Sequence, residues 1–183
     1  YDETSQPGNI ITTVKRRDGG TRIFIHDGDY RLLSYKDEMG QETTYNYDGN
    51  GNIIEEVTPA GQRIRYEYDD ANNLKGVIDP DGNRTSMTYD QNHNLLTHSD
   101  AISTQTRFSY DSNNNLVTVT DGNGKMTSLT YDQHGSVTRI QLPEGGAWEY
   151  TYEKGLMVKE TDPAGVSTIY GYDRVGRVTS VAD

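Results

Sequence analysis

The sequence predicts an all-β protein in which tandem 21-residue β-hairpins lie side by side as one long, curled antiparallel sheet. Three observations predict it. A Tyr-Asp dipeptide recurs at a fixed interval, two turn signals recur in phase with it, and the residues between the turns alternate apolar and polar. Tyr47, Tyr68, Tyr89, Tyr110 and Tyr131 are 21 residues apart, Tyr152 follows after another 21 and Tyr172 after 20. Asp48, Asp69, Asp90, Asp111, Asp132 and Asp173 follow six of these tyrosines and Glu153 follows the seventh, while His26-Asp27 is a diverged copy one interval upstream. Self-similarity at a fixed period of about 20–50 residues is the signature of a repeat architecture.

Within each unit the first element is the turn that starts at the Tyr-Asp. Four residues after the Tyr stands Gly51, Asn72, His93, Asn114, Gly135 or Gly176, with Gly155 in the copy that is one residue short. These residue types tolerate positive φ, so a left-handed position closing a type I turn with a bulge is expected. The preceding Asp suits an Asx-turn. Tyr30, in the His26 copy, departs from this rule. The next element is a strand that begins on an aliphatic: Leu32, Ile53, Leu74, Leu95, Leu116, Val137, Met157 or Val178.

A second turn follows, written "TPAG" at 58–61, "DPDG" at 79–82, "DGNG" at 121–124, "LPEG" at 142–145 and "DPAG" at 162–165. Asp first, Pro second and Gly fourth are type I turn preferences. The strand that returns to the next Tyr alternates: Ile64, Tyr66 and Tyr68 share one face, as do Trp148, Tyr150 and Tyr152, while Arg65 and Glu67 point to the other. Two turns per unit give about sixteen strands and no long helix. Residues 1–183 read as a single array, with an irregular first unit over 1–25 and seven to eight regular hairpins over 26–183.

Composition bounds the chemistry. Leu, Ile, Val and Phe number only 33 of 183 residues and the net charge is −11, a balance that on its own signals disorder. Fourteen tyrosines, against two Phe and one Trp, supply the missing packing material. The absence of cysteine rules out disulfides and thiolate chemistry. No apolar run reaches the roughly 18 residues of a membrane span, and the scattered Lys and Arg form no basic stripe for nucleic acid.

The motifs "YDGNGNI", "TDPAG" and "YEYD" resemble the YD repeats of the Rhs family, found in bacterial polymorphic toxins, Tc toxin B and C components, wall-associated proteins and teneurins. The resemblance covers about residues 26–183. It implies a spiral β-shell enclosing a C-terminal toxic domain, of which this chain would be an arc, with the rest of the shell and the enclosed domain as partners. It also implies an exported or cell-surface location. The chain starts within a Tyr-Asp and ends where the next turn is due, so a fragment of a longer array is expected. Its open strand edges predict self-association that strengthens with salt.

No catalytic residue, metal site or cofactor is predicted. Asp48-x-Asn50-x-Asn52, Asp90-x-Asn92-x-Asn94 and Asp111-x-Asn113-x-Asn115 mimic the start of a calcium loop, but Pro59, Ala101 and Gly122 stand where its bidentate Glu belongs, so self-bonded turns are the expected reading. The histidines, His26, His93, His98 and His134, show no metal-ligand spacing. The alternative to a shell is a carbohydrate- or cell-surface-binding module that stacks sugar on Trp148, Tyr150 and Tyr152.

Overall fold

A computed structural model describes residues 8–102 and 104–183. Among them are seventeen strands and no helix, so no helix is long and apolar enough to cross a membrane. The chain divides into two units, Tyr1–Ser86 and Met87–Asp183. The first holds β1 (Ile10–Lys15), β2 (Thr21–His26), β3 (Leu32–Lys36), β4 (Glu42–Tyr47), β5 (Ile53–Val57), β6 (Arg63–Tyr68), β7 (Leu74–Ile78) and the first half of β8 (Arg84–Tyr89). The second holds the rest of β8, β9 (Leu95–Ser99), β10 (Gln105–Tyr110), β11 (Leu116–Thr120), β12 (Met126–Tyr131), β13 (Val137–Gln141), β14 (Ala147–Glu153), β15 (Leu156–Thr161), β16 (Ser167–Tyr172) and β17 (Val178–Ala182).

In each unit the strands pair antiparallel in chain order, hairpin by hairpin, as the repeat predicts. Two kinds of hairpin alternate. Those closed by a Tyr-Asp turn carry a bulge next to the Tyr: Asn46 lies opposite Glu55 and Tyr47 opposite Ile53, which leaves Ile54 over. Those closed by the second turn are zipped over three residues at the turn end, as in Glu55–Arg65, Glu56–Ile64 and Val57–Arg63.

Both kinds of turn have the same geometry. The Asp48 N–H donates to Asn52 O at 2.9 Å and the Gly51 N–H to Asp48 O at 3.2 Å, and at the other end Asp79 N–H donates to Asn83 O and Gly82 N–H to Asp79 O, each at 3.0 Å. The fourth residue is left-handed in both, with φ of 90° at Gly51 and 86° at Gly82. The second turn is therefore a type I turn with the same added left-handed residue, which its Gly permits. Tyr30 adopts the left-handed backbone too, with φ of 63°. The 20-residue step is explained at Lys154 and Gly155, both with positive φ (52° and 78°), which join Glu153 to Leu156 in a two-residue turn.

Among the described residues no apolar side chain is fully buried. Rings and aliphatics are half-buried along one face, here the tyrosine face. The other face is polar and pairs its own charges, with Arg63 Nη1 2.6 Å from Glu55 Oε1, Arg84 Nη1 2.7 Å from Glu67 Oε2, and Arg139 on Glu149. Hydroxyl pairs such as Thr88–Thr97 at 2.6 Å and Ser109–Thr118 at 2.5 Å complete it.

Candidate functional site

The recurring tyrosines stand last in the even-numbered strands, except that Glu153 follows Tyr152 in β14, and the hydroxyls of Tyr47, Tyr68, Tyr110, Tyr131 and Tyr172 do a job that spacing alone did not reveal. Tyr47 Oη donates to Leu32 O at 2.8 Å, Tyr68 to Ile53 O at 3.0 Å, Tyr110 to Leu95 O at 3.1 Å, Tyr131 to Leu116 O and Tyr172 to Met157 O, both at 2.7 Å. Each acceptor is the first residue of the strand before, or the second in the case of Met157, and lies beyond the three-residue ladder of the hairpin that the Tyr strand shares with it. The ladder stops, the ring lies across the gap, and the hydroxyl satisfies the carbonyl left over. Burial, then the turn Asp of the preceding copy, raises the Tyr68, Tyr110 and Tyr131 hydroxyls above the usual phenol range. The clue in the sequence was Tyr where Phe would pack as well.

The turn carboxylates are bound within their own turns. Asp48 Oδ1 accepts from the N–H groups of Asn50 and Asn52, and its Oδ2 from Asn52 Nδ2, at 2.9, 2.9 and 3.0 Å. Asp69, Asp90 and Asp111 repeat this with Asn73, Asn94 and Asn115. Asp132 uses backbone N–H groups of His134 and Ser136, and Asp173 adds Arg177 Nε at 2.7 Å. The Asn side chain first, then backbone N–H bonds, hold Asp48, Asp90 and Asp111 below the usual carboxylate range. Among the described residues no three His, Asp or Glu converge as a metal site. Neighbouring turns are also joined, Asn52 Nδ2 to Asn72 Oδ1 at 2.5 Å and Asn94 Nδ2 to Asn114 Oδ1 at 2.9 Å. Asn in place of Gly at 72 and 114 was the unread signal for that link.

On β14, Trp148, Tyr150 and Tyr152 line up on the tyrosine face, each half-buried. Tyr152 also lines a cleft of about 490 Å³ with Asp132, His134, Ser136, Lys154 and Gly155, beside the shortened turn. Two carboxylates interrupt this face. Glu56 lies opposite Tyr45 and accepts from Tyr66 Oη at 3.4 Å, and Glu160 lies opposite Tyr150 and accepts from Tyr170 Oη at 2.6 Å. Burial, followed by Glu56, raises the hydroxyls of Tyr45 and Tyr66.

Sheets built of short hairpins, each dependent on the next for packing and for its last carbonyl, define a class of repeat protein whose unit does not stand alone. The RHS Repeat family model matches residues 26–63, 47–85, 68–101, 89–126, 110–147 and 153–183, and the chain belongs to that family. No curated protein matches. Similar solved structures are a TcdB2-TccC3-Cdc42 crystal structure (18% identity, TM-score 0.54, 98% of this chain and 12% of that chain) and a TcdB2-TccC3-TEV crystal structure (18%, 0.52, 98% and 12%). A Tc holotoxin pore of Photorhabdus luminescens with a mutated TccC3 is similar too (19%, 0.52, 99% and 12%). The chain thus spans about 12% of the length of these structures' chains, and the likeness is one of fold.

Proposed function

We propose that this Rhs repeat segment is wall: part of an exported toxin's β-shell, with the tyrosine face toward an enclosed C-terminal domain and no catalysis of its own. The observation that supports this best is the self-satisfied repeat. Turn carboxylates and tyrosine hydroxyls are bonded within or between neighbouring hairpins, the outer face pairs its own charges, and one face of half-buried rings is left to meet another surface. The similar structures being Tc toxin assemblies supports the same reading. Partners are then further hairpins at the edges of β1 and β17 and the enclosed polypeptide.

The test is trypsin protection of the C-terminal domain in the full-length protein that carries this segment. Protection in the parent and cleavage after Tyr68→Ala with Tyr131→Ala, which removes two clamps, is the expected result. A domain cut equally fast in both overturns the shell. A second reading, a sugar-binding module, draws on the half-open rings of Trp148, Tyr150 and Tyr152 and the cleft beside Tyr152. Binding of a neutral oligosaccharide lost in Trp148→Ala would favour it.

A further inference from the structure

Glu56 and Glu160 are out of place on a face of rings and aliphatics. The equivalent positions in other repeats hold Tyr35, Val77, His98, Val119, Ile140 and Val181, none of them an acid. Each Glu occupies an odd-numbered strand between two tyrosine-bearing strands: Tyr45 and Tyr66 for Glu56, Tyr150 and Tyr170 for Glu160. The same constellation therefore arises once in each unit. Acids on the polar face are treated differently, for Glu55, Glu67 and Glu149 each pair with an arginine. Among the described residues neither Glu56 nor Glu160 has a Lys or Arg within ion-pair distance, and each accepts only a tyrosine hydroxyl. A half-buried carboxylate loses hydration that one neutral donor replaces only in part.

The chain itself shows what completes such a group. Arg31 Nε lies 2.7 Å from Asp27 Oδ2 while its guanidinium stands 5.5 Å from the centre of the Tyr47 ring, so carboxylate, cation and ring act together. Spacing permits the same at the two glutamates. Each Glu lies directly opposite one tyrosine, Tyr45 or Tyr150, on a strand about 4.8 Å away, and accepts from the hydroxyl of the diagonal one, Tyr66 or Tyr170, so a cation above the carboxylate is inside the ~6 Å reach of the ring opposite.

We propose that Tyr45–Glu56–Tyr66 and Tyr150–Glu160–Tyr170 each bind a lysine or arginine side chain of a polypeptide lying on the tyrosine face. The proposal rests on the shell reading and names the chemistry by which the wall holds what it encloses. A basic segment with apolar residues between its cations fits, because Ile64 flanks Glu56, Ile140 shares the face in the second unit, and the chain carries −11. A neutral sugar would stack on the rings but leave both carboxylates without counter-charge.

The test titrates the intact chain with a labelled short peptide alternating arginine and leucine, at about 0.15 M salt so that long-range attraction is screened. Glu56→Gln with Glu160→Gln should weaken binding by about tenfold or more, since each removes one partner of a half-buried charge pair. The charge-matched Glu144→Gln with Glu153→Gln, both exposed, should change it by less than about twofold. A citrulline peptide should bind as weakly as the double variant does. Tyr66→Phe with Tyr170→Phe should keep most of the affinity because the rings remain. In the unmodified chain, ring resonances of Tyr45, Tyr66, Tyr150 and Tyr170 should shift on peptide addition while exposed Tyr30 stays still. Equal weakening by both glutamate pairs, undiminished citrulline binding, unmoved rings or preference for a neutral oligosaccharide would each overturn the proposal. Failure here with the C-terminal domain still protected from trypsin would remove the cation sites and leave the shell standing.

Discussion

At the fourth residue of each Tyr-Asp turn the backbone, not the space around it, selects the side chain. Gly135 has φ of 82°, and a Cβ there would meet only Asn115 Oδ1 at 3.9 Å, so a larger residue has room but the wrong dihedral. Gly135→Val should cost about 1–2 kcal/mol through that strain, whereas Gly135→Asn should be near neutral. Equal chemical-denaturation midpoints for the two variants would contradict the turn geometry. These positions were legible because Gly, Asn and His share one tolerance. Tyr30 and Lys154 were not, since their left-handed backbones are imposed by the hairpins around them and not by residue type. The turn acids add a pH signature. Asp48, Asp90 and Asp111 are lowered in the native state, so the stability they lend is complete above the unfolded value of about 4 and is lost as pH falls through their native values. Replacing all three with Asn should flatten the acid limb of melting temperature against pH. An unchanged slope would mean the carboxylates are not linked to folding.

At the scale of the element, strand existence and face were readable from alternation, and the hairpin register was not. The bulge at Asn46–Tyr47 and its repeats shift the pairing by one residue, and no particular residue type marks the spot, because Ile54, Lys75, Val117 and Thr138 all occupy the extra place. The tyrosine clamp was half legible: its packing followed from the spacing, its hydrogen bond only from the choice of Tyr over Phe. Tyr131→Phe keeps the ring and strands the Leu116 carbonyl, so it should destabilise by about 1 kcal/mol. Tyr152→Phe is the control, because among the described residues the Tyr152 hydroxyl makes no such bond. Equal midpoints for the two variants would reduce the clamp to a packing contact.

For the whole molecule, the aliphatic shortage that composition flagged as a sign of disorder is real, and the fold answers it without a core. No apolar side chain among the described residues is fully buried, and order comes from strand ladders, self-bonded turns and rings that lean on their neighbours. Sequence reached this through the period, which carries information that composition averages away. What it could not reach is which surface the rings meet, because the period specifies packing within the sheet and not what lies over its face. Hydroxyl-radical footprinting of the full-length protein, with and without the C-terminal domain that the shell proposal calls for, reads that directly. If the tyrosine face lies against the enclosed polypeptide, oxidation of Trp148, Tyr45 and Tyr66 should rise when the domain is deleted, while Met39 and Met126, already 78% and 51% exposed, should react alike in both. Rings that oxidise equally with and without the domain would show that the wall encloses nothing on this face.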